Sequence, residues 1–358
     1  MKNLIKFELR KILTKRFTII SIAAVLLLSF VLSFATFHNM YAFDGKSNEG
    51  SGRTAVEIDK SIAEKYEGVL TNEKIQQIMA DFKPTHDLHG MNAQYLYQNA
   101  MQSAAFARFS DMNGNWNGSS ISDVFGDEEI KIGYVNGWLN TSQNIARVLI
   151  ALSFVIILMI APVFSGEYSG VDNIILTSKY GKTKCTTAKI IASILSALLV
   201  TILTVAFHLM LAFVLYGTEG LDCSILFAPQ EFVEGYIPFN ITCGTVLKYQ
   251  LILALSGAIS VTGITLILSA LCKSQMVTFA VSCAIYVMPI MLPIPETSPL
   301  YRIIVLMPLY HSQYISIISV EQMKNSMLYA IWAIPTSIIL ITFGMVISRR
   351  VFTKHQVS

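Results

Sequence analysis

Charged side chains are scarce in this chain: Asp, Glu, Lys and Arg make up 14% of its 358 residues, against 53% hydrophobic. Soluble globular proteins carry roughly a quarter charged residues, so the shortage excludes an ordinary soluble domain. Mean hydropathy is +0.55. A helix needs about 20 consecutive apolar residues to cross a bilayer, and a central Asp, Lys or Arg costs roughly 2.5–3.5 kcal/mol. Stretches lacking all four charged types are Phe17–Phe37, Val148–Gly166, Ile190–Thr218, Tyr249–Cys272, Ser274–Pro295, Ile303–Val320 and Asn325–Ser348. These are the candidate spans.

Other absences narrow the chemistry. The chain has no H-E-x-x-H, no paired carboxylates within an apolar run, and no intramembrane base beside a serine except His208. An intramembrane enzyme would need one of these sets. His208 stays as a weak substrate-site candidate, because ionisable groups at membrane depth are functional by default; the alternative is a neutral histidine bonded to a neighbouring helix. "HDLH" (His86, His89) lacks further grouped ligands and reads as a solvated turn. No internal repeat or matched pair of broken helices argues for an inverted-repeat transporter. Of five cysteines, only Cys223 and Cys243 share an expected outer loop, 218–248, where an oxidising compartment would let them pair.

The run 303–320 contains Pro308, His311 and Gln313 and follows Pro289, Pro293, Pro295 and Pro299. Irregular backbone at membrane depth is tolerated where protein covers it, so 296–324 is expected to be re-entrant or interfacial. Six spans remain. With the N-terminus inside, segments 1–16, 165–189, 272–275 and 349–358 carry 14 Lys and Arg against three acids. That is the positive-inside pattern; a seventh span would move "SRRVFTKHQ" outside and break it. The expected fold is an all-α integral membrane protein with six transmembrane helices and both termini cytoplasmic. Its parts are an interfacial helix (1–16), a first span (17–37), an extracellular domain (38–143) and a five-span membrane domain (144–358).

In "MKNLIKFELRKILTKR", Leu4, Ile5, Leu9, Ile12 and Leu13 form one helical stripe among six basic residues, as an interfacial amphipathic helix requires. The insert 38–143 carries 14 acidic and eight basic residues. It is expected to be mostly helical: two helices broken near Gly68 and stopped at Pro84, and another over 91–112. "SGAISVTG" supplies Ser256, Ser260 and Gly263 for close helix packing.

"LTSKYGKTKC" contains Gly181-Lys182-Thr183, the end of a phosphate-binding loop. That loop needs an earlier glycine, here Leu176, and a preceding strand, here a membrane span. The match is at chance level. The loop 165–189 instead combines Glu167, small residues, an apolar patch (Val171, Ile174, Ile175, Leu176) and four lysines, which suits a short helix docking to another protein.

In "FSGEYSGVDNIILTSKYGKTKCTTAKI" the order of residues resembles permease subunits of type-2 ATP-binding-cassette (ABC) exporters. There an apolar span runs into a phenylalanine, a glutamate and a glycine, then an apolar run, a serine, a basic turn and a lysine opening the next span. The matching positions are Phe164, Glu167, Gly170, Val171, Ser178, Lys182 and Lys189. Many members have proline and arginine in the turn, where this chain has Lys179-Tyr180-Gly181-Lys182. The resemblance implies a coupling helix formed by Glu167, Gly170, Val171, Ile174, Ile175, Ser178, Tyr180, Gly181, Lys182, Lys184 and Lys189. It further implies a separate cytoplasmic ATPase subunit holding ATP and magnesium, with no cofactor and no ATPase site on this chain. A second permease chain, identical or related, would complete the path in a bacterial plasma membrane; no nucleic acid is involved. The expected cargo is hydrophobic or amphipathic, such as a lantibiotic-like peptide or a drug. The alternative is a sensing or resistance permease whose extracellular domain binds the ligand.

Overall fold

The computed structural model describes residues 1–168, 180–229, 240–295, 297–313 and 326–354. The described chain is mostly helical. Helix α1 (Lys2–Leu13) leads into α2 (Arg16–Asn39). After an insert come α7 (Asn136–Ile160) with its extension α8 (Pro162–Ser165), then α9 (Thr186–Tyr216), α10 (Cys243–Leu271), α11 (Gln275–Met291) and α13 (Ser326–Lys354). Among the described residues five helices, Arg16–Asn39, Asn136–Ser165, Gly181–Tyr216, Cys243–Leu271 and Trp332–Lys354, are long and apolar enough to cross a membrane. The run Ser274–Pro295 yields only α11, 17 residues or about 25 Å, with Pro289 inside it and Pro293 and Pro295 beyond.

Helix α7 begins at Asn136, twelve residues before the charge-free run at Val148, inside the stretch read as extracellular domain. Its first turns are buried by protein rather than lipid, so polar residues are tolerated there. The Ser142 hydroxyl donates to Gln250 Oε1 (2.7 Å), Gln250 Nε2 donates to the Ser142 carbonyl (3.0 Å), and Asn144 Nδ2 donates to Thr36 Oγ1 (3.0 Å). These bonds tie α7 to α10 and α2. Helices α10 and α13 meet through small residues: a Cβ on Gly263 would sit 2.6 Å from the Leu340 carbonyl, and Ser260 donates to Ser337 at 2.7 Å. Ser256 also bonds Ser337. Phe30 and Phe34 of α2 and Leu199 and Ile202 of α9 stay exposed, as side chains facing lipid would.

The insert contributes helices α3 (Arg53–Tyr66), α4 (Asn72–Asp81), α5 (Ala100–Phe109) and α6 (Ile121–Phe125). It also holds two short antiparallel ribbons, β1 (Tyr41–Phe43) with β2 (Glu49–Ser51) and β3 (Gly68–Val69) with β4 (Lys131–Ile132). Gly68, at φ +101°, divides α3 from α4, and Thr71 Oγ1 caps α4 by accepting from the Lys74 amide. The helix expected over 91–112 is confined to 100–109. Gln98 adopts φ +50°, and Asn99 Oδ1 accepts from the Gln102 amide at 2.8 Å, so the helix restarts there with its own cap. Ile58, Ile62, Ile78 and Phe106 of the insert share one core with Trp138 of α7, Tyr216 of α9 and Val246 of α10.

Through 297–313 the backbone forms only short turns, α12 (Tyr301–Ile304) and a 3-10 turn Tyr310–Ser312. Val305, Leu309 and His311 are buried, and Gly257 of α10 makes room for the His311 side chain.

Candidate functional site

The site is the corner opposite the insert, where α1, the end of α8 and the start of α9 converge. Helix α1 is amphipathic, with Ile12 buried and Leu9 and Leu13 packed on the core of the bundle. Glu8, one turn before Ile12, lies on the same inner face and is buried with it.

At Pro162, where α7 passes into α8, the helix ladder loses an amide donor. Ser269 of α10 repairs the break: its hydroxyl donates to the Ala161 carbonyl (2.7 Å) and accepts from the amides of Phe164 (2.9 Å) and Ser165 (3.2 Å). The Tyr168 hydroxyl donates to the Ala270 carbonyl at 2.6 Å. Glu167, between these anchors, is thereby held under the first turns of α9.

Helix α9 is entered through a π-turn over Gly181–Cys185, closed by the Cys185 amide on the Tyr180 carbonyl at 3.0 Å. The Thr183 amide also turns inward to Tyr180, at 3.3 Å. Neither amide points at a phosphate position. Tyr180, Lys182 and Lys184 are exposed, with the Lys184 ammonium 4.1 Å from the centre of the Tyr180 ring. Lys189 does not join this exposed basic border. It is fully buried, one helical turn deeper.

Lys189 meets two carboxylates. Its ammonium donates to Glu167 Oε1 and, at 3.2 Å, to Glu8 Oε1. Lys11 donates to Glu167 Oε1 at 2.8 Å and lies 3.9 Å from Glu8 Oε2. Among the described residues, two acids and two ammonium groups thus balance, three of them buried and Lys11 at the exposed edge, and they come from three separate chain segments. Burial pulls the Lys11 pKa down, but Glu167 and Glu8 outweigh it and the value is raised. Lys15 is lowered, by burial first and then by the ammonium groups of Lys11 and Lys189. The second oxygen of Glu167, Oε2, is buried without a hydrogen-bond partner among the described residues.

The loop 169–179 leaves this corner at Tyr168 and returns at Tyr180. Gly170, Val171, Ile174, Ile175 and Ser178 lie outside the described residues. Of the remaining positions singled out in the sequence, Glu167 and Lys189 come together, while Tyr180, Lys182 and Lys184 form a separate exposed group beside buried Gly181. Glu8 and Lys11 were not foreseen as their partners. The available signal was Glu8 itself, the one acid in sixteen otherwise basic or uncharged residues.

The other candidates occupy ordinary structural places. His208 Nδ1 lies 2.8 Å from Ser29 Oγ and 3.5 Å from Ser33 Oγ, bridging α9 to α2. His86 bonds Thr85, and His89 is an exposed turn residue at φ +48°. Cys223 and Cys243 are free, buried thiols on adjacent backbone: the Cys243 amide donates to the Cys223 carbonyl at 3.0 Å. Compared with family models, curated proteins and solved structures, the chain finds no match.

Proposed function

We propose that the chain is the permease subunit of an ABC exporter, with six spans, both termini cytoplasmic and 296–324 re-entrant. A separate ATPase subunit would hold ATP and magnesium. Two permease chains would form the path for a hydrophobic or amphipathic substrate moving outward across a bacterial plasma membrane. The observation that carries this reading is the four-charge cluster in which buried Glu8, Glu167 and Lys189 meet Lys11 at its exposed edge. It fixes both ends of the loop 165–189 to the amphipathic entry helix, so a push on that loop would be delivered to α7, α9 and α1 together. A loop meant only to connect two spans needs no such anchor. The exposed Tyr180, Lys182 and Lys184 then face the ATPase, whose contacts with them must differ between its open and closed states for ATP to do work.

The sensing alternative draws on the core that the insert shares with the ends of α7, α9 and α10. Through it a ligand on the insert would bias the same spans.

The test is reconstitution. The chain alone in liposomes should hydrolyse no ATP, and adding an ABC ATPase subunit from the same cell should give hydrolysis and a stable complex. Lys182→Glu with Lys184→Glu should lose the complex while inserting and folding normally. Hydrolysis by the single chain, abolished by Lys182→Ala, would refute the reading.

A further inference from the structure

A cavity of about 590 Å³ opens between the insert and the ends of α2 and α7. Among the described residues its wall contains no Asp, Glu, Lys, Arg or His, but six carboxamides: Asn39, Gln94, Gln98, Asn99, Asn136 and Asn140. Two of the six are spent on the fold. Asn99 accepts from the Gln102 amide and donates to the Phe43 carbonyl (2.9 Å). Asn136 donates to Asp59 (2.8 Å) and accepts from Asn140 (3.3 Å). Among the described residues, nothing bonds the side-chain amides of Asn39, Gln94 and Gln98 or the side-chain oxygen of Asn140. Gln98 contributes its amide from a backbone at φ +50°, a conformation that favours glycine. A strained residue at a cavity wall motivates a search for a ligand.

The lining limits what that ligand can be. No charged side chain among the described lining residues faces the cavity, and Asp59 is buried behind Asn136 and Ala100 with its oxygens taken by them. A desolvated phosphate, carboxylate or ammonium finds no direct partner there, so charged head groups are disfavoured. A carboxamide sets a donor beside an acceptor, which matches neighbouring hydroxyls that each donate and accept. The Tyr41 and Tyr95 rings, 38% and 48% exposed, add apolar faces for the C–H side of a sugar ring. The place is equally specific. Thr36 and Asn39 end α2, and Asn136 and Asn140 begin α7, so the cavity sits where two apolar helices leave the membrane. Phe30, Val31 and Phe34, 47–51% exposed on α2, provide the adjoining lipid-facing surface.

We infer that this cavity binds the uncharged, polyhydroxylated head of a membrane-resident amphiphile, a glycosyl group on an apolar tail that stays in the bilayer beside α2. The inference concerns head-group recognition by this chain alone and does not depend on an ATPase partner.

The experiment uses the full chain in lipid nanodiscs and a dodecyl glucoside carrying a photoactivatable group on the sugar. Three further probes with the same tail carry phosphocholine, sulfate or trimethylammonium heads, and a fourth carries an uncharged peptide-amide head. The glucoside should label peptides spanning 36–41, 94–103 and 136–140, and excess unlabelled dodecyl glucoside should suppress the labelling. Asn39→Leu with Gln98→Leu should reduce it about tenfold, as the loss of two neutral hydrogen bonds implies. Gln98→Gly separates binding from folding: it relieves the left-handed backbone, so thermal stability should hold or rise while labelling falls. Equal labelling by the charged heads, preference for the peptide-amide head, or no suppressible labelling in these segments would each overturn the inference.

Discussion

Replacing Lys189 by methionine isolates the four-charge cluster. The ammonium is fully buried, and Glu167 and Glu8, which it bridges, are 3% and 6% exposed. With Lys189 gone, Lys11 remains as the one cation in contact among the described residues, 2.8 Å from Glu167 but 3.9 Å from Glu8. Removing one partner of a buried ion pair costs about 3–5 kcal/mol, because excess charge is left in a low dielectric, here two carboxylates sharing one ammonium. At about 1.4 kcal/mol per tenfold, that is roughly two to three and a half powers of ten in the folding equilibrium. Adding Glu167→Gln removes one of the two carboxylates left to share Lys11, so the double variant should recover part of the loss, with a coupling of about 1–3 kcal/mol. Lys182→Met, an exposed lysine in the same loop, should stay within about 0.5 kcal/mol of the parent. The assay is reversible unfolding in mixed micelles, followed by tryptophan fluorescence. Trp138 is a suitable reporter, since it is buried and its indole N–H donates to the Glu219 carbonyl at 2.6 Å. A single Lys189→Met variant as stable as the parent, or additive costs in the double variant, would refute the reasoning.

Three other outcomes are expected. Asp59 of the insert is buried, and desolvation raises its carboxyl from 3.8 to about 6, against the opposing hydrogen bonds from Asn136 and Ala100. The folded state therefore holds this proton longer than the unfolded chain. Its stabilising effect is present below pH 3.8 and is lost as pH rises to about 6, by about 3 kcal/mol in all. Hydrogen-exchange protection of α3 should thus fall across that window relative to Asp59→Asn; parallel curves would contradict it. Cys223 and Cys243 flank the antiparallel bridge Ser224–Thr242 and lie opposite one another. Such pairs have Cα atoms about 5.5 Å apart, within disulfide reach. Copper-phenanthroline oxidation of membranes should protect both thiols from maleimide after denaturation, and full labelling of both would be the contrary result. Gly263→Ala should cost about 1–3 kcal/mol in the same unfolding assay, because its methyl would press on the Leu340 carbonyl; no change would mean that α10 and α13 are not closely packed.

The spans were legible because lipid imposes one rule, absence of charge, over a long window. Their ends were not, since that rule lapses where protein covers the helix. Thus α7 starts at Asn136 rather than Val148, its polar first turns satisfied by Gln250 and Thr36. The small residues of "SGAISVTG" announced tight packing, and Ser256, Ser260 and Gly263 do meet α13. The break at Gln98 was missed because a left-handed glutamine carries no composition signal, unlike Gly68. At the site, Glu167 and Lys189 stood out by position, 22 residues apart in one loop. Their partners Glu8 and Lys11 are more than 150 residues away from Glu167, and only folding brings them together. An N-terminal helix rich in lysine looked like a membrane anchor; its single inward glutamate and Lys11, one turn on, are what join it to the loop.

The central claim is that the corner around Glu167 and Lys189 passes motion from an ATPase to the spans. The most direct test places a cysteine at Lys182 and cross-links it to a cysteine scan of the ATPase subunit's surface, with and without a non-hydrolysable ATP analogue. Cross-links should be confined to one cleft of that subunit, with partners that change when the analogue binds. Lys189→Met should abolish substrate-stimulated hydrolysis while this cross-link still forms. Absence of any cross-link in an assembled complex, or stimulation undiminished in Lys189→Met, would contradict the claim.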